Sequence, residues 1–484
     1  MSSLTEKQVD TVARRVLEGL LYTSPDDRLN LPNKKDLSQK YSSLSGIFLK
    51  INEAVAAAGQ AQRQLMQLSL EKRNEIIKNI RLKMSEHAEE LARKAHEETG
   101  LGRVEDKILK NKLVIEKTPG TEILTPQAYS GDRGLMLMEL APYGIIGAIT
   151  PVTNPTSTII CNTIGMVAAG NAVVFNVHPS AKNVSIENIV LLNEAIIEAG
   201  GPRNLVTSIS EPTIESAQEL MKHSDVRLLV VTGGASVVKA AMASGKRAIC
   251  AGPGNPPIVV DESADIKQAS KDILLGTSLD NNIICVSGKI LFVVNNIADQ
   301  LISALKSQGA IQLSKEQFKH LEGFIFTETN GPRMQAVMEK TLIGKDVQFI
   351  LAKIGINVDQ DVRLAIVDVP YEHPLVWTEQ MMPILPIVRV ENADQAIDMA
   401  KEAEGGLRHT AVMHSKNLDN LSRMAREMDC SIFVKNGPAV AGLGYGGEGY
   451  CSFTIASPTG EGLTNPRSFA RERRCVLVDQ FRII

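Results

Sequence analysis

The stretch "GTSLDNNIICVSGK", residues 276–289, places Cys285 after a polar Asp-Asn-Asn run and two isoleucines, with a glycine close on each side. A lone cysteine in apolar company is ordinarily a small buried hydrophobe. A cysteine carried on a polar turn between two glycines also suits a nucleophile, because the thiol must reach a substrate from a fixed backbone. Which of the two applies depends on the rest of the chain.

The chain has 484 residues, 44% apolar and 22% charged, with a net charge of −3. That length exceeds one ordinary core and predicts two or three domains. The charge balance carries no footprint for nucleic acid or for an anionic membrane surface. No apolar run is long enough to span a bilayer, and the N-terminus lacks a secretory layout. Six cysteines, at 161, 250, 285, 430, 451 and 475, are scattered without metal spacing. They read as reduced thiols of a cytoplasmic protein, and the absence of HExxH argues against a metal site.

Working outward, "TEKQVDTVARRVLEGLL" opens with Thr5 and Gln8 in capping-box spacing, and Val9, Val12, Ala13, Val16, Leu17 and Leu20 share one helical stripe. Residues 1–20 thus read as a short amphipathic helix in search of a partner surface, and 21–44 as a polar linker. Residues 51–117 are helical in pattern. Strands then alternate with helices: "YGIIGAITP", "NAVVFNV", "NLVTSI" and "VRLLVVTGG" read as strands around "SIENIVLLNEAIIEAGG" and "TIESAQELMKH". This predicts a parallel, doubly wound α/β sheet with ligands at the strand C-termini. A second alternating block runs from about 258 to 430, through "PPIVVD", "KILFVVNN", "GFIFT", "RLAIVDV" and "MPILPIVRV". The C-terminal "RSFARERRCVLVDQFRII" reads as a strand outside both cores. "GLGYGG" at 442–447 matches GxGxxG but opens no helix, so it predicts a flexible glycine loop instead of a dinucleotide fingerprint.

Five stretches stand in one order: "TPVTNP" (150–155), "VTGG" (231–234), "CAGPGNPP" (250–257), the Cys285 stretch and "EQMMP" (379–383). Together they resemble the aldehyde dehydrogenase superfamily, in particular its CoA-acylating branch. "EETGLGRVEDK" (97–107) and "EGLTNPRSFARERRCVLVDQFRI" are similar to the versions in microcompartment acetaldehyde and propionaldehyde dehydrogenases. The resemblance covers about 45 to 484. It implies an α/β fold with a Rossmann-like NAD domain over 45–240, a catalytic domain over 241–430 and a return segment over 431–484. Residues 120–142 and the C-terminal strand would form a β flap that makes a homodimer or tetramer.

The resemblance makes Cys285 the nucleophile, on a thiolate favoured by local dipoles or by the cofactor's cation. It makes Asn154 the side-chain donor of the oxyanion hole, alongside the Cys285 backbone N–H. The cofactor side comprises Thr150, Pro151, Thr232, the pyrophosphate-side Gly233 with Gly234, Gly252, and Glu379 for the nicotinamide ribose. At the adenosine end stand Asn176, His178 and Pro179, where hydrolytic relatives carry a lysine and an acidic residue. NAD therefore follows from resemblance alone. The segment "CAGPGNPP" has Ala251 where those relatives place the glutamate that activates water. Without that base an acyl-enzyme waits for a thiol, which the resemblance implies is coenzyme A. His373, in "YEHPLVWTEQ", is a candidate proton relay for that thiol.

The implied substrate is a short aliphatic aldehyde, walled by Ile284, Val286 and Thr454. Residues 1–20 would bind a shell or lumen protein of a bacterial microcompartment. Two alternatives stay open: a hydrolytic dehydrogenase that yields free acid, and a lumen scaffold that keeps the fold without the chemistry.

Overall fold

A computed structural model describes residues 45–484; the helix expected over 1–20 and the linker expected over 21–44 lie outside the described residues. A strand β1 (Ile47–Phe48) leads into three helices, α1 (Ile51–Leu65), α2 (Leu70–Thr99) and α3 (Val104–Lys117). The Ser69 side chain caps α2 by accepting Lys72 N–H, and Gly100 closes it at φ 64°, donating to His96 O at 2.7 Å. An antiparallel hairpin follows, β2 (Gln127–Gly131) and β3 (Gly134–Pro142).

The first sheet then builds through β4 (Ile145–Ile149), β5 (Ala172–Asn176), β6 (Val206–Ile209), β7 (Val226–Thr232) and β8 (Arg247–Ala251). Its order is β1-β6-β5-β4-β7-β8, and every pairing is parallel. The strands are near-continuous Val/Ile/Leu runs because helices cover both faces. One of those helices, α4 (Pro155–Ala168), is buried at every position and so has no amphipathic stripe to read. The order reverses between β4 and β7, which opens a ligand crevice at their C-terminal ends. Register sets Ile149 opposite both Asn176 and Val231, so the three strands end together there.

The second sheet is also wholly parallel. Its strands are β9 (Pro257–Val260), β10 (Ile290–Val294), β11 (Ala310–Gln312), β12 (Leu364–Asp368), β13 (Ile384–Val390), β14 (Thr410–His414) and β15 (Ile432–Lys435). They lie in the order β11-β12-β13-β10-β9-β14-β15. The last strand, β16 (Ala470–Val478), leaves both sheets and pairs antiparallel along all of β3. Its outer side chains, Val476, Leu477 and Val478, are exposed.

Three expectations shift. β8 belongs to the first sheet, so the crossover falls at 252–256 and not at 240. β15 belongs to the second, so the return begins after Lys435. "GFIFT" is mainly the end of a helix, Lys315–Ile325: a Ser314/Gln317 capping box starts it, and the buried Phe318, Leu321 and Ile325 carry its helical period through the predicted strand. The "GLGYGG" stretch is a loop, with Gly444 O and Gly447 O both accepting from Lys117 Nζ.

Candidate active site

Helix α5, Ile266–Ser278, runs toward the turn that carries Cys285. Asp280, Asn281 and Asn282 occupy the left-handed region in succession, at φ 49°, 55° and 66°. L-residues adopt it at a cost of roughly 1–2 kcal/mol each, least for Asn and Asp. Each side chain then anchors the turn. Asp280 N–H donates to Asp106 Oδ2 at 2.8 Å, and Asp280 Oδ1 accepts Arg103 N–H at 2.8 Å. Asn281 Nδ2 donates to Gly344 O and Asp346 Oδ1; Asn282 Nδ2 donates to Thr277 O and Gly288 O. Gly102, at φ 68°, is glycine because a Cβ there would collide with the Asp280 carboxylate. The polar run ahead of Cys285 is therefore a clamp.

Three buried ammonium groups lie against it. Lys289 is fully buried, and its Nζ donates to Asn282 O at 2.6 Å and to Asn282 Oδ1. Burial pulls Lys289 down to about 8, opposed by Glu379 and Cys285. On α3, Lys110 donates to Asp280 Oδ2 and, at 2.6 Å, to Asn154 Oδ1, while Lys107 reaches Asp280 Oδ2 at 3.2 Å. Burial raises Asp280, but the two ammonium groups outweigh it and leave the carboxyl below its ordinary value.

Cys285 is half-buried. Burial first, then the Glu379 charge, pushes its thiol up to about 12, against Lys289 and the backbone N–H groups of Cys285 and Val286. Local dipoles pull toward the thiolate, and desolvation pulls harder the other way. Asn154 caps α4, with its amide oxygen held by Lys110 and Nδ2 donating to Thr153 Oγ1 at 3.1 Å, which leaves one amide hydrogen free.

The other groups gather around Gly254. A Cβ at Gly254 would lie 2.9 Å from Cys285 O and 3.0 Å from His409 Cγ, so the nucleophile's backbone and an imidazole crowd the same residue. Gly254 N–H also donates to Glu379 Oε1 at 3.3 Å. The His409 ring is fully buried, with Nδ1 at 2.8 Å from Thr410 Oγ1 and Nε2 without a partner. Burial, reinforced by Lys289, lowers it to about 4, so the ring is neutral near neutrality.

His373 lies elsewhere. Its Nε2 is 2.6 Å from Glu322 Oε1, its Nδ1 accepts Leu375 N–H, and the ring packs on Phe318. With both nitrogens engaged it caps the short helix Pro374–Trp377. Nothing in "GGLRHTAVMH" distinguishes His409 from His414, which is equally buried at the far end of β14. Lys110 and Lys289 were likewise illegible, since lysines are rarely buried and only tertiary partners reveal them.

The cofactor-side residues divide. Thr150, at the end of β4, keeps a buried hydroxyl with no partner, and Pro151 follows it. At the end of β7 a Cβ on Gly234 would meet nothing within 4 Å, and on Gly233 only Val237. These open positions beside an orphaned hydroxyl, at the strand-order switch, fit a dinucleotide phosphate. Gly233 N–H itself is spent on Ala251 O at 3.1 Å. Thr232 Oγ1 lies 2.9 Å from Thr454 Oγ1, and Gly252 sits against Pro458. Asn176 is turned inward: Nδ2 donates to Thr213 O and Oδ1 accepts Ser216 Oγ, so it holds the start of helix Ile214–Lys222 and is not free for a ribose. His178 accepts Ser180 N–H, and Pro179 is exposed. Among the described residues, no His/Cys/Asp/Glu group could hold a metal ion.

Comparison with known proteins decides the lineage. Residues 49–455 match the family described as "Aldehyde dehydrogenase family". The chain belongs to the aldehyde dehydrogenase family. It is 49% identical over 453 residues to an acetaldehyde dehydrogenase (acetylating) of Salmonella typhimurium, covering 93% of this chain and 96% of that one. It is 44% identical to a propanal dehydrogenase (CoA-propanoylating) of the same organism, covering 96% and 99%. Among solved structures, a propionaldehyde dehydrogenase of Rhodopseudomonas palustris with bound CoA and an acylated cysteine matches at TM-score 0.87 and 48% identity, over 90% of this chain and 98% of that one. A propionaldehyde dehydrogenase from the fucose utilisation microcompartment of Clostridium phytofermentans matches at 0.88 and 48%, over 91% and 100%.

In this aldehyde dehydrogenase, the Glu379 charge is the one neighbouring carboxylate that works against the Cys285 thiolate. Glu379→Gln is expected to lower the thiol's pKa and shift the pH profile of iodoacetamide labelling downward, by up to about tenfold in rate per unit; a profile that stays put or moves up contradicts this. Asp280→Asn strands two buried ammonium groups. Calorimetry is expected to show a loss of about 3–5 kcal/mol, and wild-type stability in the variant contradicts the clamp.

Proposed function

We propose that this chain is a CoA-acylating aldehyde dehydrogenase, converting a short aliphatic aldehyde, NAD and coenzyme A to acyl-CoA and NADH. The Cys285 sulfur attacks the carbonyl carbon, and the oxygen takes up negative charge. The free Asn154 Nδ2–H and the Cys285 N–H receive that charge, each donor being worth roughly 3–4 kcal/mol in such a site. Thr150, Gly233, Gly234 and Glu379 would hold the dinucleotide. Bound NAD supplies the hydride acceptor that turns the thiohemiacetal into a thioester on Cys285.

One observation carries the choice of product. The turn facing Cys285 offers a buried neutral imidazole, His409, while 250–257 contains no carboxylate and Ala251 stands buried at the end of β8. His409 Nε2 can take a proton from an incoming thiol, which then attacks the thioester carbon and expels the Cys285 sulfur. An open groove of about 500 Å³ is lined by Ala235, Val238, Lys239 and Met242 with Pro253, Leu407 and Pro458. Its apolar wall suits the pantetheine arm, and Lys239 suits a phosphate. Glu379 is the rival base for water, but it is held by Gly254 N–H.

The exposed apolar edge formed by β16 and the chain end, with Phe481, Ile483 and Ile484, supports a homodimer or tetramer. The microcompartment origin of the Clostridium phytofermentans relative supports a cytoplasmic enzyme confined in such a shell through residues 1–20.

In an absorbance assay with C2 to C6 aldehydes, NADH turnover is expected to require CoA and to favour two or three carbons; equal turnover to free acid without CoA overturns the reading. His409→Asn is expected to accumulate acyl-Cys285 by mass spectrometry and to slow CoA-dependent turnover by about 10²–10⁴-fold; unchanged turnover removes His409 from the step. Deleting residues 1–20 is expected to leave activity intact and abolish co-purification with shells, and equal encapsulation refutes that partner.

A further inference from the structure

Lys110 stands in neither the five motifs nor the thiol chemistry, yet it touches both halves of the site. It lies on α3, is 2% exposed, and belongs to a segment more than forty residues before Asn154. Its ammonium bridges Asn154 Oδ1, at 2.6 Å, to the Asp280 carboxylate of the Cys285 turn. We propose that Lys110 is a positioning residue for the oxyanion hole: by occupying Asn154 Oδ1 it fixes the N–H edge of that amide toward the reacting carbonyl. This rests on the reading of Asn154 as an oxyanion donor.

The two ends of an asparagine amide are nearly equal in size, and packing alone does not select between them. Thr153 Oγ1 contacts Nδ2 at 3.1 Å, but a hydroxyl both donates and accepts and would tolerate either end. An ammonium has donors only. Rotating the amide would bring NH₂ against Lys110 and aim the carbonyl oxygen at a developing negative charge, so both contacts would become repulsive. A cation on Oδ1 also withdraws electrons through the amide and strengthens the N–H as a donor.

The arrangement is redundant for any simpler purpose. Lys107 already neutralises Asp280 from 3.2 Å, and the Asp280 backbone is tied separately to Asp106. Asp106 is paired in turn with Arg363 at 2.6 Å. Lys110 is the member of this cluster that reaches the Asn154 side chain; the Lys107 Nζ approaches only the backbone, at Thr153 O, 3.5 Å.

The test compares Lys110→Met, Lys110→Arg, Asn154→Ala and the Lys110→Met/Asn154→Ala pair in full-length enzyme. NADH formation with aldehyde and CoA builds charge on a carbonyl oxygen, whereas iodoacetamide alkylation of Cys285 uses the same sulfur and loop without an oxyanion to stabilise. Lys110→Met is expected to lower kcat by about 30- to 100-fold, below the loss of a whole donor. KM and alkylation are expected to stay within about threefold, Lys110→Arg to retain most turnover, and Asn154→Ala to add less than about threefold in the Met background. Alkylation falling in parallel with kcat assigns Lys110 to loop support and overturns the proposal, as does full additivity of the pair. Should Lys110→Met not fold, Lys110→Gln, which keeps a neutral donor, is expected to lose about 5- to 20-fold in kcat with alkylation unchanged; parallel loss overturns the proposal there too. Wild-type turnover in Asn154→Ala alone marks failure of the oxyanion reading itself.

Discussion

Everything at this site hangs on burying lysine ammonium groups beneath a left-handed turn. Three successive non-glycine residues with positive φ are not a conformation the chain would hold alone. Lys289 fixes it from inside through Asn282, and Lys107 holds it from α3 through Asp280, from which Lys110 bridges on to Asn154. Removing a charge from water is costly, so each ammonium is stable only where several oxygens converge on it. The turn supplies those oxygens only in its left-handed form. Backbone strain and charge burial thus stabilise each other, and the sulfur of Cys285 inherits a position with little freedom to drift.

The two sheets contribute opposite edges. Thr150, Thr232 and Gly233 end strands of the first sheet, whereas Gly254, Lys289 and His409 precede β9, β10 and β14 of the second. Register fixes this: Pro257 lies beside Ile290, and Val412 beside Ile258, so the residues just before these strands are neighbours across 150 positions of chain. In the first sheet the open glycines and the orphaned Thr150 hydroxyl lie at the strand C-termini. In the second the chemistry lies at the N-terminal edge.

How much of this the sequence disclosed follows from what each residue depends on. Strands such as "VRLLVVTGG" and "KILFVVNN" were legible because a buried parallel strand needs a continuous apolar run, a local property. Cys285, Asn154 and Glu379 stand out in the sequence only through their ordered motifs. Asn176 stands at the right place in chain and strand, yet its amide is consumed by Thr213 and Ser216, which only folding brings near. The two histidines fail for the same reason. His373 looks exposed to chemistry before Pro374 but is tied to Glu322, while His409 looks like any residue entering a strand yet carries an unpartnered Nε2 and packs on Gly254, against which Cys285 O also lies. A hydrogen-bond vacancy has no sequence signature.

The high resting pKa of Cys285 fits the proposed partition between water and thiol. Desolvation that pushes the thiol up to about 12 also disfavours any charged nucleophile formed from bulk water in the same pocket. A poorly stabilised thiolate is a reluctant leaving group, so the acyl-enzyme is not easily discharged by a weak attacker. Coenzyme A must expel the same sulfur, but it brings a nucleophile of the same kind as the one it displaces, and a neutral imidazole such as His409 can take its proton without first shedding one. Exchange of one thioester for another is nearly balanced in energy, which makes the reaction reversible. Burial thus disfavours a charged attacker drawn from water more than a thiol with a proton acceptor at hand.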